Sequence, residues 1–158
     1  MFDVADILDL AIRMEENGEA VYRSAIPSAP NPDIAAALEW MAGEEAVHRQ
    51  WFIELKATAE QAPDHPVMKA VKREALFDIL GEDCFSLEAT DVSTFGELSE
   101  LVAAAMGFEQ DSVLFYEMLA PFLLKDSARR QLDGIIAEER RHMETLEAFS
   151  KQLLVPAG

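Results

Sequence analysis

Glu45-Ala46-Val47-His48 and Glu139-Arg140-Arg141-His142 are two Glu-x-x-His tetrads in one chain, and their surroundings decide how it folds. Each is preceded by a lone glutamate 30 residues upstream, Glu15 for the first and Glu109 for the second. Each lone glutamate is followed seven residues later by a tyrosine, Tyr22 or Tyr116. The second set of four trails the first by 94 positions throughout: 15 to 109, 22 to 116, 45 to 139, 48 to 142. A single Glu-x-x-His in an acid-rich helical chain is ordinarily part of a solvated face. Here the chain has only 3 histidines, and two of them sit in this doubled pattern.

Working outward, these residues fall on apolar stripes with steps of three and four, the seam of a packed helix bundle. The first stripe is Val4, Leu8, Ala11, Glu15, Gly18, Tyr22, and the second is Ile34, Leu38, Met41, Glu45, His48, Phe52, Leu55. The third is Leu98, Val102, Ala105, Glu109, Ser112, Tyr116, Leu119, and the fourth is Ala128, Leu132, Ile135, Glu139, His142, Leu146, Phe149. Capping signals bound them. Asp3 reads as an N-cap with a Phe2–Ile7 staple, Asn31-Pro32 as a cap with proline at the first helical position, Thr94 with Glu97 as a capping box, and Asp126 as the last cap. Pro27, Pro30, Pro63 and Pro121 are stops. The spacing therefore predicts helices over about 3–26, 31–60, 94–120 and 126–153.

Residues equidistant from a hairpin turn lie side by side. Glu15 and Glu45 are equidistant from the Ser28–Pro32 turn, and Glu109 and Glu139 from the Pro121–Asp126 turn. Residues 61–93, with Pro63, Pro66, Gly81 and a candidate short helix around Met68–Leu80, are long enough to return along a helix of roughly 40 Å. The expected architecture is all-α: one domain over 1–158, a four-helix bundle with a long crossover between helices 2 and 3 and a pseudo-two-fold repeat.

Composition sets bounds. The chain has 158 residues, 50% hydrophobic and 27% charged, which suits one sizeable core. Its net charge is −17, with 30 acids against 13 bases, which argues against nucleic acid and anionic membrane surfaces as partners. The single cysteine, Cys84, excludes an intrachain disulfide, and a reducing cytoplasm is the expected location. The acidic start, Met1 to Asp6, lacks a signal-peptide pattern, and no apolar run approaches the roughly 20 residues of a membrane span.

Four carboxylates on core stripes need a compensating charge, because each buried ion costs several kcal/mol unless paired. No Lys or Arg lies on the stripes. Two divalent cations would balance the four, with one neutral imidazole for each ion. The candidate metal ligands are Glu15, Glu45, His48, Glu109, Glu139 and His142. The mixed oxygen and nitrogen donors suit two iron ions, with manganese or zinc as alternatives, while the histidines disfavour calcium. Tyr22 and Tyr116 have two compatible readings: core packing, or a hydroxyl that orients a ligating carboxylate. Gly18 and Ser112 either permit close packing or leave room for an exogenous ligand. Glu19 lacks a counterpart and reads as solvated, and Glu16, Glu44 and Glu138 are expected to point outward. Trp40, Trp51 and the methionines read as core or interface. His65 has no assigned role.

The stretch Met14-Glu15-Glu16-Asn17-Gly18-Glu19-Ala20-Val21-Tyr22, both Glu-x-x-His motifs, and Phe108-Glu109 followed by Tyr116 resemble the rubrerythrin branch of the ferritin-like diiron superfamily. The resemblance implies a ferritin-like bundle, with Glu15 and Glu109 as single-helix ligands, Glu45 and Glu139 as bridging carboxylates, and His48 and His142 as terminal ligands. Two departures stand out. The glutamate that rubrerythrins carry three residues after the helix 3 ligand is Ser112 here, which brings the ligand set closer to a ferritin centre. The paired Cys-x-x-Cys motifs of a rubredoxin-like domain have no counterpart, so redox turnover calls for an external electron donor. The implied function is a diiron oxidoreductase acting on dioxygen or peroxide. The alternatives are a ferroxidase or iron-handling protein, and a helical interaction module with a structural metal site. A homodimer is expected as well, since family members associate through their bundles and Ile7, Ile12, Trp40, Trp51 and Phe115 exceed what one seam can bury.

Overall fold

In the computed structural model, the described residues are 4–59 and 97–154, and among them every long element is helical. Helix α1 is Val4–Ala25, α2 is Pro32–Ala59, α3 is Leu98–Leu119 and α4 is Asp126–Leu154. The two hairpin turns each contain a short 3₁₀ turn built on proline, Ile26–Ser28 and Ala120–Phe122. Proline halts the α-helix because it has no N–H to donate to the preceding turn.

The helix starts are only partly as the sequence indicates. Asn31 caps α2 as expected: its Oδ1 accepts from the Ile34 N–H at 2.9 Å, and its carbonyl accepts from Ala35 at 3.2 Å. Helix α3 begins at Leu98 rather than near 94. Glu97 is itself the N-cap, with extended backbone (φ −129, ψ 154) and no side-chain cap bond, so it cannot be the third helical residue of a capping box. Helix α4 starts one residue earlier in the capping sense, since the Arg129 N–H reaches the Lys125 carbonyl. Asp126 therefore lies in the first turn, where its charge favours the positive end of the helix dipole. Asp3, Phe2, Thr94, His65 and the crossover 61–93 lie outside the described residues.

The stripes face inward. Every stripe residue whose burial is described is buried, except Leu55 and Leu98, which are partly so. Helices α1 and α2, α3 and α4, and α1 and α3 pack closely, whereas α2 and α4 approach each other less closely. Directions follow from which residues meet. Tyr22 of α1 reaches Glu109 of α3, and Tyr116 of α3 reaches Glu15 of α1, so these two helices are antiparallel. Since α2 is antiparallel to α1, it runs parallel to α3, and the end of α2 and the start of α3 lie at opposite ends of the bundle. That is the direction pattern of a bundle with one long crossover.

The apolar core is split in two. One cluster gathers Leu8, Ala11, Phe52, Tyr116, Leu119 and Leu132, and the other Tyr22, Leu38, Met41, Leu101, Val102 and Leu146. Between them lies the layer of polar stripe residues. Ion pairs brace the hairpins from outside: Lys56 with Asp9 at 2.7 Å, and Arg140 with Glu117. Ile7 and Phe115, expected to be in excess of the seam, are instead 3% and 1% exposed within this core. They fill the gap between neighbouring helices, a second inward direction that a single stripe does not capture.

Candidate metal centre

All six sequence-predicted ligands converge in the polar layer, and each is at most 3% exposed. Their ligand atoms form two groups. Glu15, Glu45, His48 and Glu139 make one, and Glu45, Glu109, Glu139 and His142 make the other, with the atoms of each group within 4.8 Å of one another. Glu45 and Glu139 belong to both. Helix geometry explains this: the tetrads sit on α2 and α4, the helices that face each other across the wider gap, so their carboxylates meet at the centre. Glu15 and Glu109, on the other two helices, each flank one side.

Both imidazoles turn Nδ1 toward the carboxylates, but the pseudo-two-fold is only approximate: His48 Nδ1 to Glu139 is 2.9 Å where the equivalent His142 Nδ1 to Glu45 is 3.7 Å. His48 Nδ1 lies 2.9 Å from Glu139 Oε1 and 3.5 Å from Glu15 Oε2. His142 Nδ1 lies 3.1 Å from Glu109 Oε1 and 3.2 Å from Glu139 Oε2. The two imidazole rings are stacked with centroids 6.3 Å apart. The tyrosines cross over: the Tyr22 hydroxyl donates to Glu109 and the Tyr116 hydroxyl donates to Glu15. Each therefore holds the lone glutamate of the other half, and each also packs in the core.

The outer nitrogens of the histidines have partners that the sequence reading missed. Glu138 Oε2 lies 2.6 Å from His48 Nε2, and Glu44 Oε2 lies 2.6 Å from His142 Nε2. These glutamates do not point outward as expected. Each precedes a tetrad glutamate and so sits about 100° round the helix, at the stripe edge, from where a three-bond side chain reaches the opposite helix. A sequence signal existed: the Glu-Glu pair recurs at the same 94-residue shift. A carboxylate on Nε2 fixes the tautomer and leaves Nδ1 facing the centre. Glu16 is exposed as expected. Glu19 is held between Arg23 and Arg49, at 2.9 and 2.6 Å, so its part-buried carboxylate is ion-paired rather than solvated as expected, and is not among the clustered ligands.

Close packing is the role that the structure gives Gly18. A Cβ there would lie 3.0 Å from Glu45 Oε1 and 3.2 Å from its Cδ. Ser112, at the corresponding place on α3, is buried.

Burial and the mutual charges of these groups set the electrostatics of the cluster. Burial raises the Glu45 and Glu139 carboxyls well above their ordinary range, and repulsion from the other carboxylates adds to it. Burial also opposes ionisation of Glu109, but hydrogen bonds from Glu139 and His142 win and lower it. Burial disfavours the charged imidazoles, yet the surrounding carboxylates outweigh it and raise both His48 and His142. Burial raises the Tyr22 and Tyr116 hydroxyls, which therefore stay protonated and can donate. Two buried oxygens, Glu15 Oε2 and Glu139 Oε2, have no hydrogen-bond partner. Orphaned carboxylate oxygens beside inward-facing imidazole nitrogens fit divalent cations, which would satisfy the oxygens and displace the protons.

Among the described residues, no helix is long and apolar enough to cross a membrane. No curated protein matches the chain. Among solved structures, it is similar to one from Thermotoga maritima described as a candidate ferritin-like diiron-carboxylate protein, with TM-score 0.72, 24% identity and 95% of each chain covered. At that identity the likeness speaks to the fold, which is a ferritin-like four-helix bundle. The sequence profile of the rubrerythrin family matches residues 6–150, a span that holds all six clustered glutamates and histidines, both tyrosines and the two outer glutamates. With that match over most of its length, and with the doubled Glu-x-x-His layer at its centre, the chain belongs to the rubrerythrin family.

Proposed function

We propose that this chain is a two-iron carboxylate protein whose centre reacts with dioxygen or peroxide. The observation that carries the reading is the pair of four-residue ligand groups sharing Glu45 and Glu139. Glu15 and His48 would complete one ion's set and Glu109 and His142 the other's. When bound, two ferrous ions would supply the two electrons that reductive cleavage of an O–O bond consumes. The chain's own contribution is binding and charge balance. Four carboxylates offset two dications, Tyr22 and Tyr116 hold the flanking carboxylates, Glu44 and Glu138 hold the imidazoles, and the two apolar clusters keep the layer dry. Manganese and zinc fit the same donors less selectively. Titration of metal-free protein with ferrous iron, followed by metal analysis, should saturate at two ions per chain, and saturation at one would sink the reading.

Ser112 favours a second reading, ferrous iron oxidation of the ferritin type. A buried serine offers no extra carboxylate at the place where rubrerythrins carry one. Ser112→Glu should then raise peroxide turnover with a rubredoxin-type donor at equal iron occupancy. If the unmodified chain already reduces peroxide as fast, the argument from Ser112 fails. Repeated peroxide turnover would draw on an external donor, since this sequence has 1 cysteine and no Cys-x-x-Cys, whereas in the ferroxidase reading the ferrous iron itself supplies the electrons. A reducing cytoplasm is the setting that this reading implies. The chain is also proposed to form a two-fold dimer, now on the strength of exposed Trp40, Val47 and Leu114 rather than Ile7 and Phe115. A concentration-independent monomer mass in sedimentation would refute the dimer.

A further inference from the structure

The pseudo-two-fold breaks down on the outer side of the two histidines. Trp40 packs edge-on against His142, with ring centroids 5.7 Å apart. The position 94 residues later, where a matching tryptophan would pack against His48, is Gly134. A Cβ at Gly134 would meet nothing within 4 Å. The outer glutamates differ in step: the Glu138 side chain beside His48 is 34% exposed, the Glu44 side chain beside His142 only 21%. Glu138 also has a second partner on the solvent side, Arg141 Nη2 at 3.6 Å, whereas the matching position beside Glu44 is Val47.

We propose that the two halves of the centre exchange cations unequally: a divalent cation passes to and from the His48 half beside Glu138 and over Gly134, while Trp40 closes the His142 half. This rests on the two-ion reading above. The physical basis is coverage. Removing an ion requires its imidazole and the outer carboxylate to move aside and water to reach the metal. On the His48 side Arg141 can take up the Glu138 carboxylate, and the space over Gly134 is open. The Trp51 indole bonds Gln131, three residues before Gly134, at 2.6 Å, and none of its atoms comes within 4 Å of where a Cβ at Gly134 would lie. On the His142 side an indole must be displaced first. Glu138 and Gly134 are thus positioning features of the His48 half.

The test uses Co(II) as the probe, in Trp51→Phe protein so that Trp40 is the only indole. Bound cobalt quenches an indole in contact with its imidazole ligand. After loading with Co(II), excess chelator is added, and total release is followed by chelate absorbance while Trp40 emission reports the His142 half. Two phases of equal amplitude are expected, with Trp40 emission recovering only in the slower. Gly134→Trp should merge the fast phase into the slow one, and this comparison, read by absorbance, also works in the chain with Trp51 intact. Recovery of Trp40 emission in the fast phase, or release of both ions in one phase, overturns the inference and leaves the two-ion reading standing. Binding of fewer than two cobalt ions per chain overturns the two-ion reading, and this inference with it.

Discussion

Gly18→Ala separates what helix α1 prefers from what the centre requires. Gly18 lies in the interior of α1, where alanine is favoured by about 0.8–1 kcal/mol on helix propensity alone. Against this, the added methyl would lie 3.0 Å from Glu45 Oε1 and 3.2 Å from its Cδ, closer than ordinary contact by a few tenths of an ångström. In metal-free protein the obstacle is the far end of a flexible side chain, which can rotate away. The variant should therefore melt at the same temperature or up to about 2–4 °C higher. In metal-bound protein Glu45 would be held by both ions, because it belongs to both ligand groups. Displacing it should weaken binding by about 10- to 100-fold, the range found when groups supporting a metal ligand are lost. By mass action that removes about 1.4–2.8 kcal/mol of metal-dependent stabilisation at fixed free metal. The assay is thermal melting with and without saturating Mn(II), chosen to avoid oxidation during the scan, with affinity measured alongside by calorimetry. If Gly18→Ala shows the same metal-induced rise in melting temperature as the parent chain, Gly18 is not there to admit Glu45. If the metal-free variant instead loses stability, the methyl is meeting something more rigid than a carboxylate.

Replacing a shared carboxylate should differ from replacing a flanking one: Glu139→Ala should abolish binding of both ions, whereas Glu15→Ala should leave one ion per chain by metal analysis, and equal loss in the two variants would contradict the shared geometry. Tyr116→Phe takes from buried Glu15 Oε1 its tyrosine donor and should cost about 1–3 kcal/mol in urea denaturation of the metal-free protein, whereas Tyr22→Phe should cost less, because His142 Nδ1 still lies 3.1 Å from the same Glu109 oxygen. Unchanged midpoints would mean that those hydroxyls do not support the carboxylates. Metal-free protein should also lose stability as pH rises. Glu45 and Glu139 have folded values raised above 4.5 and the histidines above 6.5, so the folded state holds more protons than the unfolded one once pH passes those ordinary values. Their stabilisation is complete below the ordinary values and is lost as pH climbs through the raised ones, while the lowered Glu109 acts oppositely and only in the acid range. With metal present the trend should reverse, because ions and protons compete for the same oxygens and nitrogens. A metal-free melting temperature that rises between about pH 5 and about pH 9 would refute this assignment.

Much of this protein is written in one dimension. The steps of three and four fixed four helices and their inward faces, and the stripe positions from Leu98 to Tyr116 and from Ala128 to Phe149 repeat those from Val4 to Tyr22 and from Ile34 to Leu55 at the same 94-residue shift. A helix advances by a constant angle per residue, so periodicity alone is enough to say that Glu15, Glu45, His48, Glu109, Glu139 and His142 share the interior. The hairpin turns then set their heights. Periodicity says nothing, however, about a residue at the edge of a stripe, because its direction depends on where the neighbouring helix sits. That is why Glu44 and Glu138, expected in solvent, meet the histidines of the facing helix, and why Ile7 and Phe115 are covered within the chain. It is also why Tyr22 serves Glu109 rather than the glutamate on its own helix: the crossed pairing exists only once α1 and α3 lie antiparallel side by side. Sequence determined which residues reach the core and in what order along it. The partner that each finds there was decided by packing, because distances between helices are properties of the assembled bundle and of no single segment.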